Sequence, residues 1–78
     1  MSLIPPPNDP KWSQVLLEEK IFDFEFLATN MIFTRLTIEA KRNPSKQNLL
    51  RVGHELWEVF NKNAHNPKVR NDIKKIFG

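Results

Sequence analysis

The sequence predicts an all-α fold with a long N-terminal helix, a second helix forming an antiparallel hairpin with it, and a short C-terminal third helix. Three Asx-Pro pairs each precede an amphipathic stretch, and no two stretches alternate clearly enough to pair as strands. Asn and Asp are preferred N-caps, and proline suits the first helical position, so each pair is typical of a helix start. The pairs are Asp9-Pro10, Asn43-Pro44 and Asn66-Pro67.

The first predicted helix runs from about residue 10 to about residue 41 and is apolar on two opposite sides. Spacing the side chains by 100° places Val15, Phe22, Phe26, Thr29, Phe33, Leu36 and Ala40 on one face. The opposite face carries Ile21, Phe24, Ala28, Met31 and Ile38 at coiled-coil-like spacing. Residues 21–26 also alternate partly as a strand would, but the chain offers no partner strand, which favours the helix.

The second and third helices are predicted over about 44–62 and 67–77. The second has an apolar stripe that contains Leu49, Val52, Gly53, Leu56, Val59 and Phe60, and the third has one formed by Val69, Ile73, Ile76 and Phe77. Glycine in a helix costs about 1 kcal/mol relative to alanine, so Gly53 indicates close approach of a neighbouring helix. The loop before the second helix is short, which favours antiparallel packing against the first.

The domain organisation follows from these lengths. Residues 1–9 form a proline-rich segment that we expect to be extended, and residues 10–78 form one three-helix domain. The second helix can cover one face of the first, and the third can cover part of the other face but is too short to cover all of it. We therefore expect oligomerisation, with a homodimer favoured, or a helical protein partner, to complete the bundle. The expected contact residues are Ile21, Phe24, Ala28, Met31 and Ile38.

The motifs of enzymes and metal sites are incomplete in this chain. It has no cysteine, and its two glycines form no phosphate-binding loop. His54-Glu55 begins a zinc-protease motif, but position 58 is Glu where the second His is required. A solvent-facing His54 in i,i+4 contact with Glu58 is the simpler interpretation. We expect a non-enzymatic module with no cofactor, metal or small-molecule substrate.

The charge is divided unevenly along the chain. Residues 1–40 carry three basic and six acidic groups, and residues 41–78 carry nine basic and three acidic groups. This division fits helices of opposite charge packed side by side, and it also leaves a nucleic-acid-binding regulator as the alternative function. Its expected phosphate contacts are Lys68, Arg70, Lys74 and Lys75 on the third helix.

The most apolar stretch, residues 21–38, contains Asp23, Glu25, Asn30 and Arg35. Charged groups at the bilayer centre are costly, so this stretch does not predict a membrane span. The first residues have neither a basic start nor a long apolar run, unlike a secretory signal peptide. We therefore expect a soluble, cytoplasmic protein.

Overall fold

The structure, a computed structural model, describes residues 4–18 and 23–78. Four α-helices pack together within these ranges, and no strand occurs in them. The helices are α1 (Lys11–Leu17), α2 (Met31–Arg42), α3 (Lys46–Lys62) and α4 (Pro67–Phe77), and a 3₁₀ turn spans Leu27–Thr29. The predicted all-α class is confirmed. None of the described helices is long and apolar enough to cross a membrane.

The single helix predicted over residues 10–41 is wrong. The first helix ends at Leu17, and α2 begins at Met31. Asn30, in an extended conformation with φ −103° and ψ 115°, starts α2 as its N-cap. Its side-chain oxygen accepts hydrogen bonds from the backbone N–H groups of Ile32 and Phe33, at 2.9 and 3.2 Å. These N–H groups would bond to carbonyls of the preceding turn in a continuous helix, so the cap marks a true break.

The later helix starts can be compared directly with the Asx-Pro signals. Helix α4 begins at Pro67, and the side chain of Asn66 accepts a hydrogen bond from the Lys68 N–H at 2.9 Å. Helix α3 begins two residues after the predicted Pro44, because Ser45 is its N-cap and accepts from the N–H of Asn48 at 3.3 Å. A hydroxyl competes well with an amide for this role, which explains the shift.

The core is built around Trp12 on α1. Its ring centroid lies 5.2 Å from that of Phe60 and 4.8 Å from that of Phe77, so the indole joins α1 to α3 and α4. The indole N–H donates to the carbonyl oxygen of Pro6 at 3.0 Å. A turn closed by the Asp9 N–H and the same Pro6 oxygen, at 3.1 Å, interrupts the segment that was predicted to be extended.

Helices α1 and α3 approach closely at Gly53. A Cβ atom added there would lie 3.3 Å from the Cβ of Trp12 and 3.5 Å from the backbone nitrogen of Ser13. These distances leave almost no room for a side chain, and the close approach predicted from the glycine is confirmed. The buried hydrophobic core comprises Trp12, Val15, Leu16, Phe24, Leu27, Phe33, Leu36, Ala40, Val52, Leu56, Phe60, Val69 and Ile73.

Candidate interaction surface

The residues predicted to form one contact strip are separated by the break before α2. Phe24 is 7 % exposed and belongs to the core, so its prediction as a contact residue is wrong. Ala28, Met31 and Ile38 are exposed, and Ile21 lies outside the described residues. The strip required one uninterrupted helix to align its members. Residues 24–26 lie outside any helix, so Phe24 is not aligned with Met31 and Ile38, and its side chain packs into the core.

Two of the predicted residues remain together on the solvent side of α2. Met31 is 87 % exposed and Ile38 is 52 % exposed, while Phe33, Leu36 and Ala40 on the opposite side are buried. Met31, Thr34, Arg35, Ile38 and Arg42, together with Glu39 at the edge, line a shallow groove of about 450 Å³. We refer to these five residues, without Glu39, as the α2 outer face. It is the candidate interaction surface of the protein.

Four charged side chains at the border of this face form a ring of ion pairs that links α2 to α3. Arg35 lies 3.0 Å from Glu39 and 3.5 Å from Glu55. Arg51 lies 3.0 Å from Glu55 and 3.5 Å from Glu39. Because position 35 meets 55 while 39 meets 51, α2 and α3 run in opposite directions. The ring also compensates the charge of Arg35, whereas Arg42 makes no ion pair with any carboxylate in residues 4–18 and 23–78.

The chain leading into α2 is held by Asp72 of α4. One carboxylate oxygen of Asp72 accepts from the Glu25 N–H at 2.8 Å, and the other accepts from the N–H groups of Phe26 and Leu27 at 2.9 and 3.0 Å. The side chain of Asn71 adds a hydrogen bond to the Glu25 carboxylate at 3.3 Å. These contacts hold the chain against α4 shortly before Asn30 starts α2.

Sequence reasoning missed Asp72, although a signal for it exists. On a helical wheel it lies beside Val69, Ile73 and Ile76, on the side of α4 that packs inward. A charged residue among inward-facing apolar ones needs a compensating partner, because an unpaired buried charge is costly. Asp72 is fully buried, and its hydrogen bonds to the backbone N–H groups of residues 25–27 supply that compensation.

The four predicted phosphate contacts are all exposed on α4. Lys75 donates a hydrogen bond to the carbonyl oxygen of Asp23, so its ammonium is engaged within the chain. Lys68, Arg70 and Lys74 make no ion pair with the carboxylates that the structure describes. Three of the four cations are thus presented to solvent without a described acidic partner.

Potential metal-ligating side chains do not cluster among the described residues. No group of three or more His, Cys, Asp or Glu side chains that could hold a metal ion occurs among them. No buried side-chain nitrogen or oxygen in the described ranges lacks a hydrogen-bond partner. His54 is half exposed and lies 3.0 Å from Glu58, with its ring 5.3 Å from that of Trp57, which is the i,i+4 contact interpreted from the sequence.

Comparison with known proteins gives no family for this chain. No protein-family model matches it, and neither a curated protein nor a solved structure gives a significant match.

Proposed function

We propose that the protein is a non-enzymatic helical interaction module that binds another polypeptide through the α2 outer face. The observation that carries this proposal is the 87 % exposure of Met31 beside the half-exposed Ile38, on a helix whose other side is fully packed. A helix with one buried side normally carries polar residues outside. Burying apolar surface contributes about 25 cal/mol per Å², so covering these two side chains favours association.

The arrangement suits a helix of the binding partner. Met31 and Ile38 are seven residues apart, which corresponds to about 10 Å along the axis and two turns on the same side. Anchors with this spacing are typical of helix-to-helix recognition. Methionine is unbranched and flexible, so its side chain adapts to the shape of a partner. The small size of the face predicts a contact below about 600 Å² per partner, in the range of transient complexes.

Site-specific photo-crosslinking in cells that produce the protein tests this proposal. A benzophenone amino acid at position 31 should give defined covalent adducts, and the added substitution Ile38→Glu should abolish them because it places a charge in the apolar contact. The matched control carries the same photoreactive group at Gln47, an exposed position on α3. Adduct yields from position 31 no greater than those from position 47 would contradict the proposal. The mass of the adduct also identifies whether the partner is a second copy or another protein.

Nucleic-acid binding is the second candidate function, favoured by Lys68, Arg70 and Lys74, which lack described acidic partners. Fluorescence anisotropy with a labelled random duplex should show binding at about 50 mM salt that weakens steeply by about 200 mM. Arg70→Gln combined with Lys74→Gln should reduce the affinity, while Lys46→Gln at the start of α3 serves as a control of smaller effect. Absence of binding at the lower salt concentration excludes this candidate.

A further inference from the structure

We infer that the polypeptide bound by the α2 outer face is a second copy of this chain, packed with its α2 antiparallel to the first across a two-fold axis. This inference rests on the proposed function, because it assigns the occupant of the same face. In a two-fold contact, residue i meets residue j and residue j meets residue i. An axis midway between positions 31 and 38 places Met31 against Ile38 of the second copy, and Ile38 against Met31 of the second copy. Both apolar residues of the α2 outer face of each chain are then covered.

The order of charges along this part of the chain complements itself when one copy is reversed. The segment before α2 carries the exposed acidic residues Asp23 and Glu25, and the last turn of α2 carries the exposed basic residues Lys41 and Arg42. An antiparallel arrangement brings the basic end of one copy towards the acidic end of the other, at both ends of the contact. A parallel arrangement brings like charges together, which costs free energy.

The centre of the contact is compatible with this arrangement because the charge of Arg35 is already compensated. Two copies of Arg35 approach each other near the axis, and two uncompensated guanidinium groups there would repel. Each Arg35 is paired within its own chain, 3.0 Å from Glu39 and 3.5 Å from Glu55. The two antiparallel α2 helices also align their dipoles favourably, since the N-terminal end of each lies near the C-terminal end of the other.

Other binding partners would match only part of this combination of apolar and charged residues. A purely acidic helix would complement Arg42 but would meet repulsion from Asp23 and Glu25, and a nucleic acid would leave Met31 and Ile38 without an apolar contact. Helix α2 has 12 residues and is therefore about 18 Å long, which limits the buried area. We therefore expect a weak, concentration-dependent dimer, because a contact this small lies at the low end of the interface size range.

Sedimentation equilibrium of the full chain at low ionic strength tests the dimer. The weight-average mass should rise from 9.2 kDa towards twice that value as the concentration passes through the dissociation constant. Met31→Lys should weaken the association at least about tenfold, because a charge replaces the exposed apolar anchor. Circular dichroism should remain unchanged in this variant, since Met31 makes little contact with its own chain.

Charge reversal tests the antiparallel register. Glu25→Lys and Arg42→Glu should each weaken self-association several-fold, because each creates two repulsive pairs in the symmetric dimer. An equimolar mixture of the two variants should associate as well as the unmodified chain, because the introduced lysine then lies near the introduced glutamate, and the original Arg42 lies near the original Glu25. Glu18→Lys and Lys62→Glu make the same changes in net charge at exposed positions outside the face, and should leave the association unchanged.

The outcomes separate this inference from the proposed function. The chain could stay at 9.2 kDa up to millimolar concentration and still give heavier adducts from position 31 in cells. That result would overturn the inference that the bound polypeptide is a second copy, while the proposed interaction module would stand. A dimer that is insensitive to Met31→Lys, or whose charge-reversed variants fail to associate on mixing, uses another surface or register and overturns the inference. Absence of both dimer and adducts overturns both.

Discussion

The carboxylate of Asp72 accepts a hydrogen bond from the backbone N–H of Leu27 at 3.0 Å, across 45 positions of the chain. The same carboxylate accepts from the N–H groups of Glu25 and Phe26. Three successive N–H groups therefore end on one side chain, as they do at the first turn of a helix with an acidic cap. Asp72 of α4 thereby holds the chain at residues 25–27, shortly before α2 begins at Met31.

Replacing Asp72 with alanine should lower the free energy of unfolding by roughly 2–4 kcal/mol, because three backbone donors lose their acceptor and the Leu27 N–H is left buried. Asp72→Asn should cost less, since the amide retains one oxygen. Urea denaturation followed by circular dichroism measures both. Asp23→Asn is the control at an exposed carboxylate near this site, and should change stability by less than about 0.5 kcal/mol. Equal effects of Asp72→Ala and Asp23→Asn on stability would show that the Asp72 carboxylate does not hold residues 25–27.

The close approach of α1 and α3 at Gly53 makes a prediction about side-chain size. Gly53→Ala should change stability by less than about 1 kcal/mol, because the gain in helix propensity offsets the tight 3.3 Å contact with Trp12. Gly53→Val should lower the free energy of unfolding by more than about 2 kcal/mol, since its additional methyl groups must push the two helices apart. His54→Val, at the next position but exposed, introduces the same side chain with little change in helix propensity and without the clash. Urea midpoints that fall equally for the two valine variants would exclude the steric explanation.

The N-cap of α2 makes a third prediction. Asn30→Ala should cost about 1 kcal/mol, because the N–H groups of Ile32 and Phe33 lose their acceptor. Asn30→Asp should be neutral or slightly stabilising, since a carboxylate keeps the acceptor and interacts favourably with the helix dipole. Amide hydrogen exchange should become faster at Ile32 and Phe33 in the alanine variant only. Unchanged exchange at these two amides would show that the cap does not hold the first turn.

The sequence predicted the helix starts where the signal is local. Asn66-Pro67 starts α4 through the side chain of Asn66 and the fixed φ of proline, and the residues that determine this start are adjacent. The break after Leu17 has no comparable local signal, because neither Gly nor Pro lies between Pro10 and Pro44 and the apolar periodicity continues across the break. The hydrogen bonds that hold residues 25–27 come from Asp72, far along the chain.

Among the predicted contact residues, too, those that depend only on local helix geometry can be predicted, and those that depend on distant contacts cannot. Met31 and Ile38 lie on one side of α2, because their i,i+7 relation depends only on the helix that contains both. The prediction that Phe24 lies with them assumes one continuous helix, whereas Phe24 is buried in the core. Asn30 is a local signal against one continuous helix, since an amide within an apolar run suits an N-cap better than a helix interior. The apolar periodicity on both sides of Asn30 nevertheless predicts a single helix.

The ring of ion pairs between α2 and α3 makes the last prediction. Arg51→Met and Glu39→Gln should each lower stability by less than about 1 kcal/mol, because all four side chains are one-third to one-half exposed and water screens their charges. Their effects should not add: once Arg51 is lost, removing Glu39 affects only its contact with Arg35, so a double-mutant cycle should give a coupling of a few tenths of a kcal/mol. The coupling should vanish in about 1 M salt, where the screening length falls to about 3 Å.

Lys62→Met, at a lysine with no described ion pair, provides the matched control. Strict additivity at low salt would mean that the four charges act independently, and that the charge of Arg35 is not compensated by a ring.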